Sequence, residues 1–102
     1  MRKPGFKLDG YPGCTLRWIT ADGKRKNTGT RAGRIMMLVA EQVVAGTGKD
    51  FEAKKGSGVW HPVKMDLEEA RNYLSSHFML QGTLKRAEGV RRRRLESGKV
   101  VL

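Results

Sequence analysis

A chain of 102 residues and 11.4 kDa holds one domain; an independent core takes on the order of 100 residues, so a multidomain enzyme is excluded. With 38% hydrophobic and 30% charged residues and a mean hydropathy of −0.55, the chain fits a small, highly charged fold with a modest core. Its 21 Lys and Arg against 10 Asp and Glu give a formal +11 and a pI near 10.4, which points to a polyanionic partner, nucleic acid first.

The charge is uneven. Residues 1–34 carry nine basic and two acidic groups, residues 35–84 five and six, and residues 85–102 seven and two, so both ends are electropositive and the middle is neutral. The single cysteine, Cys14, cannot close an intramolecular disulfide, which fits a reducing cytoplasm, or the nucleus in a eukaryotic cell. Arg2 and Lys3 are followed by Pro4, Gly5 and Asp9 rather than an apolar stretch, so no signal peptide is expected. The longest apolar run, Ile35–Ala40, is far short of a bilayer span, and no membrane partner is expected.

In chain order, residues 1–13 read as an irregular basic arm, with two prolines and three glycines among isolated aromatics before and at Gly13. The stretch Cys14–Thr20 is β-branched and aromatic, with Cys14, Leu16 and Trp18 on one face of a strand. Asp22-Gly23 suits a tight turn, and Lys24–Thr28 returns as a polar strand, so residues 14–28 form an exposed basic hairpin. Thr30 is the expected N-cap of a helix over Arg31–Ala45. Ile35, Leu38, Val39 and Gln42 or Val43 recur at helical spacing, and the neighbouring Met and Val residues make this the central core helix. Residues 46–61 hold four glycines and no period, and read as a flexible loop with one turn around Phe51–Lys55. The GTGK at 46–49 lacks the spacing of a phosphate loop, because Lys49 is followed by Asp50 rather than Ser or Thr.

Asp66 and Glu69 have the spacing of a reciprocal capping box, with Met65 and Ala70 placed as a hydrophobic staple. The helix they open should end near Tyr73 or Leu74, and Ser75-Ser76 offers a turn and a fresh N-cap. In the next helix, Ser76–Glu88, Leu80, Leu84 and Ala87 form the inward stripe. Gly89 is read as its stop, and residues 90–102, with Ser97-Gly98 as the turn, as a hairpin bearing four consecutive arginines.

A capped short helix, a serine turn, a second helix, a glycine and a basic hairpin follow one another over residues 66–102, DLEEARNYLSSHFMLQGTLKRAEGVRRRRLESGKVVL. This order resembles the winged helix-turn-helix of small transcription regulators. The resemblance implies an α+β fold, a three-helix core with a C-terminal β-hairpin wing, to which the N-terminal hairpin is an addition. It implies one domain over 14–102, with the wing at 90–102. The connection to the wing is shorter than in the family. The loop between the first two helices is longer, leaving room for a short strand around Val59–Val63 or a partner-binding loop.

The function implied is sequence-specific binding of double-stranded DNA, with helix 76–88 in the major groove. Gln81, Thr83 and Lys85 would read bases: Gln pairs with adenine, Lys with guanine, and the Thr methyl packs on thymine. Arg86, Arg91, Arg92, Arg93, Arg94 and Lys99 would bind phosphates or enter the minor groove, and Ser75, Ser76 and His77 would add phosphate contacts. Lys24, Arg25 and Lys26 on the first hairpin are further candidates. One alternative is an RNA-binding or antitermination factor gripping RNA with the same basic runs; Trp18 and Trp60 would then stack on bases, although core burial is the expectation for both. Another is a module that docks a transcription protein such as RNA polymerase. Winged-helix regulators often pair through elements outside the core, and the exposed hairpin edge is a candidate surface for a homodimer. One Cys and two His give no zinc spacing, and Ser76 beside His77 makes no triad. No enzyme activity, metal or cofactor is expected.

Overall fold

The computed structural model describes residues 13–56 and 58–98. The chain is α+β. Strands β1 (Cys14–Thr20) and β2 (Arg25–Thr30) form a hairpin, helix α1 (Ala32–Ala45) follows, and β3 (Gly48–Lys54) and β4 (His61–Pro62) return to the sheet. Helix α2 (Leu67–Ser75), a 3-10 turn at Phe78–Leu80 and helix α3 (Gln81–Glu96) complete the described fold. The sheet is antiparallel in the order β2-β1-β3-β4, so β2 lies on an edge. No helix among the described residues is long and apolar enough to cross a membrane.

Alternation along β1 divides the sheet into two faces. Cys14 and Leu16, with Phe51 and Ala53 of β3, point to one side and join Ile35, Met36 and Val39 of α1 and Val63 in the first core cluster. Trp18 lies at the rim of this cluster, its ring stacked on Phe51 at 6.5 Å between centroids. The opposite side of α1 supplies Ala40, Val44 and Ala45 to a second cluster with Ala70 and Leu74 of α2 and Ala87 of α3. Helix α1 is therefore the middle layer, with the sheet on one side and α2 and α3 on the other, as its nearly all-round apolar sequence requires.

Local chemistry accounts for the boundaries. Gly23, at φ 84°, makes the turn between β1 and β2. Gly46 ends α1 at φ 74° and ψ 32°, its N–H donating to the carbonyls of Gln42 and Val43. Asp66 and Glu69 form the capping box: the Glu69 N–H donates to Asp66 Oδ1 at 2.8 Å and the Asp66 N–H to Glu69 Oε1 at 3.2 Å. Met65 packs against both clusters, Ala70 being a member of the second.

Three expectations are corrected and one is met. The N-cap of α1 is Arg31, with no side-chain hydrogen bond, because Thr30 is still paired with Cys14 in the β1–β2 ladder. The loop expected over 46–61 contains β3, a central strand whose register with β1 passes through a bulge between Arg17 and Ile19, with Asp50 at φ 55°. Room for a short strand near Val59–Val63 is filled by β4. Ser76 does not cap a helix, since the 3-10 turn intervenes and α3 begins at Gln81 after Leu80.

The largest change is at Gly89. It does not stop the helix; α3 runs through it to Glu96, so the first half of the expected wing is helical and all four arginines lie on α3. The terminating glycine is Gly98, at φ 69°, whose N–H donates to the Leu95 carbonyl at 3.1 Å. The rest of the wing expectation, from Lys99 onward, and the arm at 1–12 lie outside the described residues.

Candidate nucleic-acid interface

Helix α3 is sorted by its buried stripe. Ala87 is buried, and Leu80, Leu84 and Val90 pack against the second cluster. At spacings of three and four the stripe then reaches Arg91 and Arg94, both half-buried, whose aliphatic stems can extend it. Gln81, Lys85, Arg86, Arg92 and Arg93 remain exposed. A helix of 16 residues is about 24 Å long, and its exposed side is basic from the second turn to the last.

Arg94 and the first hairpin meet. Trp18, Thr20, Asp22, Lys24, Lys26, Gln42, Thr47 and Arg94 line one cleft of about 630 Å³. Lys24 and Lys26 from the first electropositive segment thus meet Arg94 from the last, although 70 and 68 positions separate them along the chain. Asp22 is the acidic member of the lining. The Thr20 hydroxyl beside it holds its carboxyl below the ordinary value, with help from the Lys24 backbone and charge. Two Lys and one Arg against one carboxylate leave the cleft positive.

Apart from Lys99, which lies outside the described residues, the expected contact residues of α2 and α3 have definite places. Lys85 and Arg86 are exposed, and Thr83 is half-buried. Gln81 is exposed but partly committed, its Nε2 donating to the Ser75 carbonyl at 2.6 Å, which leaves Oε1 as an acceptor. Ser75, Ser76 and His77 close the end of α2 rather than opening α3. The Ser75 and Ser76 hydroxyls donate to the carbonyls of Asn72 and Tyr73, and His77 Nδ1 lies 2.8 Å from the Tyr73 carbonyl. A carbonyl only accepts, so Nδ1 carries the proton in that contact. The His77 ring also packs on Tyr73, with centroids 4.7 Å apart. Arg71 ties α2 to α3 through a two-pronged bond to Glu88 at 2.7 and 3.0 Å, and that carboxylate raises the Arg71 guanidinium above its ordinary pKa.

Two features escaped the sequence reading. Phe78 and Met79, in the 3-10 turn just before α3, are 87% and 86% exposed. Trp60 is not a core residue either. It is half-buried, with the Arg17 guanidinium 3.9 Å and the Lys54 ammonium 4.7 Å from its ring centroid. The alternation of Arg17 against Leu16 and Trp18 was the available sign that β1 carries a cation on its outer face. Among the described residues, no group of three or more His, Cys, Asp or Glu is placed to hold a metal ion. No family model matches the chain, and neither a curated protein nor a solved structure is significantly similar to it.

Proposed function

We propose that this protein binds double-stranded DNA, with the exposed side of α3 facing the major groove and the cleft between α3 and the first hairpin holding the phosphate backbone beside it. The observation that carries the reading is the meeting of Lys24 and Lys26 with Arg94 around one cleft, in continuity with a helix that exposes Lys85, Arg86, Arg92 and Arg93. A major groove about 12 Å wide admits such a helix. The α2–α3 pair supplies the helix-turn-helix part of the resemblance, and the arginines act from α3 itself rather than from a wing.

Roles divide by position. Lys85 reads base edges from the first half of α3 through guanine O6 or N7, whereas Thr83, half-buried and three and four positions from Leu80 and Ala87, lies toward the inward stripe. Gln81 braces the turn through Ser75 and accepts from a base at Oε1. Phe78 and Met79 offer apolar contact to thymine methyls or an unstacked step at the same end. Arg86, Arg92 and Arg93 supply affinity with little sequence information.

Fluorescence anisotropy across a salt series tests this, with mixed-sequence duplex DNA, single-stranded DNA and hairpin RNA as probes. Duplex preference is expected, with a log–log slope of about −0.9 per neutralised phosphate. R92A/R93A should flatten that slope by roughly 1.8 if each arginine meets one phosphate. Preference for hairpin RNA, or an unchanged slope in the double variant, would overturn the assignment of α3. Loss of sequence preference in Q81A/K85A, measured on a site selected from a random library, distinguishes base reading from docking to a transcription protein.

A further inference from the structure

The side of the sheet turned away from α1 is also a charged surface. The ladder fixes its membership, because residues directly opposite each other in antiparallel strands share a face. Arg17 stands opposite Asn27 on one side and Glu52 on the other, Thr15 opposite Gly29 and Lys54, and Ile19 opposite Arg25 and Lys49. Arg17, Arg25, Lys49 and Lys54 thus face outward with Glu52 as the carboxylate among them. Arg17 donates from Nε to Glu52 Oε1 at 2.8 Å, which leaves the Nη fork of the guanidinium for another acceptor. Arg17 and Lys54 are both held over the Trp60 ring, so two like charges are gathered at one aromatic. The Glu52 carboxylate offsets one of these charges, and with Arg25 and Lys49 on the same face the surface remains positive.

The edge strand divides its own cations between two surfaces. Lys26 pairs with Trp18, on the side of the cleft shared with Arg94, whereas Arg25 pairs with Ile19 on the outer face. The sheet and α1 lie between that outer face and α3. A straight duplex seated on α3 cannot also reach the far side of the sheet.

We infer that the outer face of the sheet, built on Arg17, Arg25, Lys54 and Trp60, is a second site for the phosphate backbone of duplex DNA, and that one protein molecule bridges two duplexes. The bridging rests on the reading of α3 as the first site. The sheet site has its own residues and its own variants. Asn27 and Thr15, beside the cations, add hydrogen-bonding side chains that suit phosphate or sugar oxygens.

The experiment is capture of a fluorescent duplex by protein bound to an immobilised, biotin-tagged duplex, with single-duplex anisotropy run in parallel on the same samples. Sedimentation fixes the concentration at which the protein is a monomer. The wild-type monomer should capture the second duplex. R25A/K54A should lower capture at least tenfold while single-duplex binding stays within threefold, because α3 is intact. R25E on the exposed edge strand, which disturbs no packed group, should do the same and guards against misfolding of the double variant. R92A/R93A should weaken both readouts together.

Capture that is unchanged in R25A/K54A and R25E, or that occurs only when the protein is dimeric, would overturn the bridging inference and leave α3 untouched. Full single-duplex binding by R92A/R93A, with loss only in the sheet variants, would instead sink the assignment of α3. The sheet would then be the sole site, and bridging by a monomer would fall with it.

Discussion

Replacing Gly89 by alanine separates the observed helix from the hairpin that the sequence suggests. Gly89 lies in the interior of α3, and its φ is not among the positive values that favour glycine. A Cβ at this position meets only the Arg93 Nη1 atom, at 3.9 Å, which is ordinary contact with the end of a flexible side chain. Neither strain nor overpacking therefore opposes the intrinsic preference, and Ala exceeds Gly in a helix interior by about 0.8–1.0 kcal/mol. The variant should be more stable by about that amount, or roughly 4–8 °C in Tm for a domain near 100 residues. Thermal melts followed by circular dichroism measure the gain, and urea titration with an unchanged m-value confirms that stability changed without a change in the surface exposed on unfolding. If residue 89 were instead a left-handed stop before a strand, the same methyl would be strained and the variant would lose stability. A loss of 1 kcal/mol or more would refute the continuous helix and return the arginines to a wing.

Changes at three further places test the frame around the site. Gly48→Ala should destabilise by about 1–3 kcal/mol, because its Cβ would stand 2.8 Å from both Trp18 Cδ1 and Gln42 Oε1 and 3.2 Å from Phe51 Cζ; a chemical melt equal to wild type would mean that β3 does not approach α1 this closely. Asp66→Ala should cost about 1 kcal/mol and Asp66→Asn much less, since both Asp and Asn accept from the N3 amide; equal losses in urea titration would remove the capping box as the cause. The Arg71–Glu88 bond is two-pronged but its side chains are 44% and 32% exposed, so a double-mutant cycle should give a coupling of only about 0.5–1 kcal/mol, smaller still in 1 M salt. A coupling several times larger would show that α2 and α3 are held mainly by this pair rather than by Leu74 and Ala87.

Where the signal is local, the sequence was sufficient. The alternation of Cys14, Leu16 and Trp18, the Asp22-Gly23 turn, the apolar helix and the capping box each involve neighbours along the chain, and the structure contains all four. Strand β3 was hidden because its pairing with β1 is non-local and its sequence GKDFEAK has only two buried apolar side chains, Phe51 and Ala53. The bulge at Asp50 breaks the alternation just before them. Helix α3 was cut short for a different reason. A glycine after an amphipathic stretch usually ends a helix, but both Gly89 and Gly98 were present and only the second has the left-handed backbone of a terminus. Arginine is a good helix former, and Arg91 and Arg94 continue the spacing of Leu84 and Ala87 with stems that a hydropathy pattern scores as charge.

The same distinction governs the reading of charge. Counting by segment places the basic excess at the two ends of the chain, yet a polyanion meets surfaces, not segments. Folding brings Lys24 and Lys26 to Arg94, and joins two distant runs into one surface. Strand alternation then does the reverse within a single run: Lys24-Arg25-Lys26, contiguous in sequence, is divided so that Lys26 shares the face of Trp18 and Arg25 the face of Ile19. Any variant that neutralises the whole KRK run therefore perturbs both surfaces at once and cannot tell one site from two. Single changes on opposite sides of the strand can: Lys26→Ala should act with Arg92 and Arg93 on single-duplex affinity, and Arg25→Ala with Lys54 on capture of the second duplex. If both changes moved the two readouts in parallel, the faces of β2 would be serving one contiguous site, and the separation of the surfaces by the sheet would have no functional consequence.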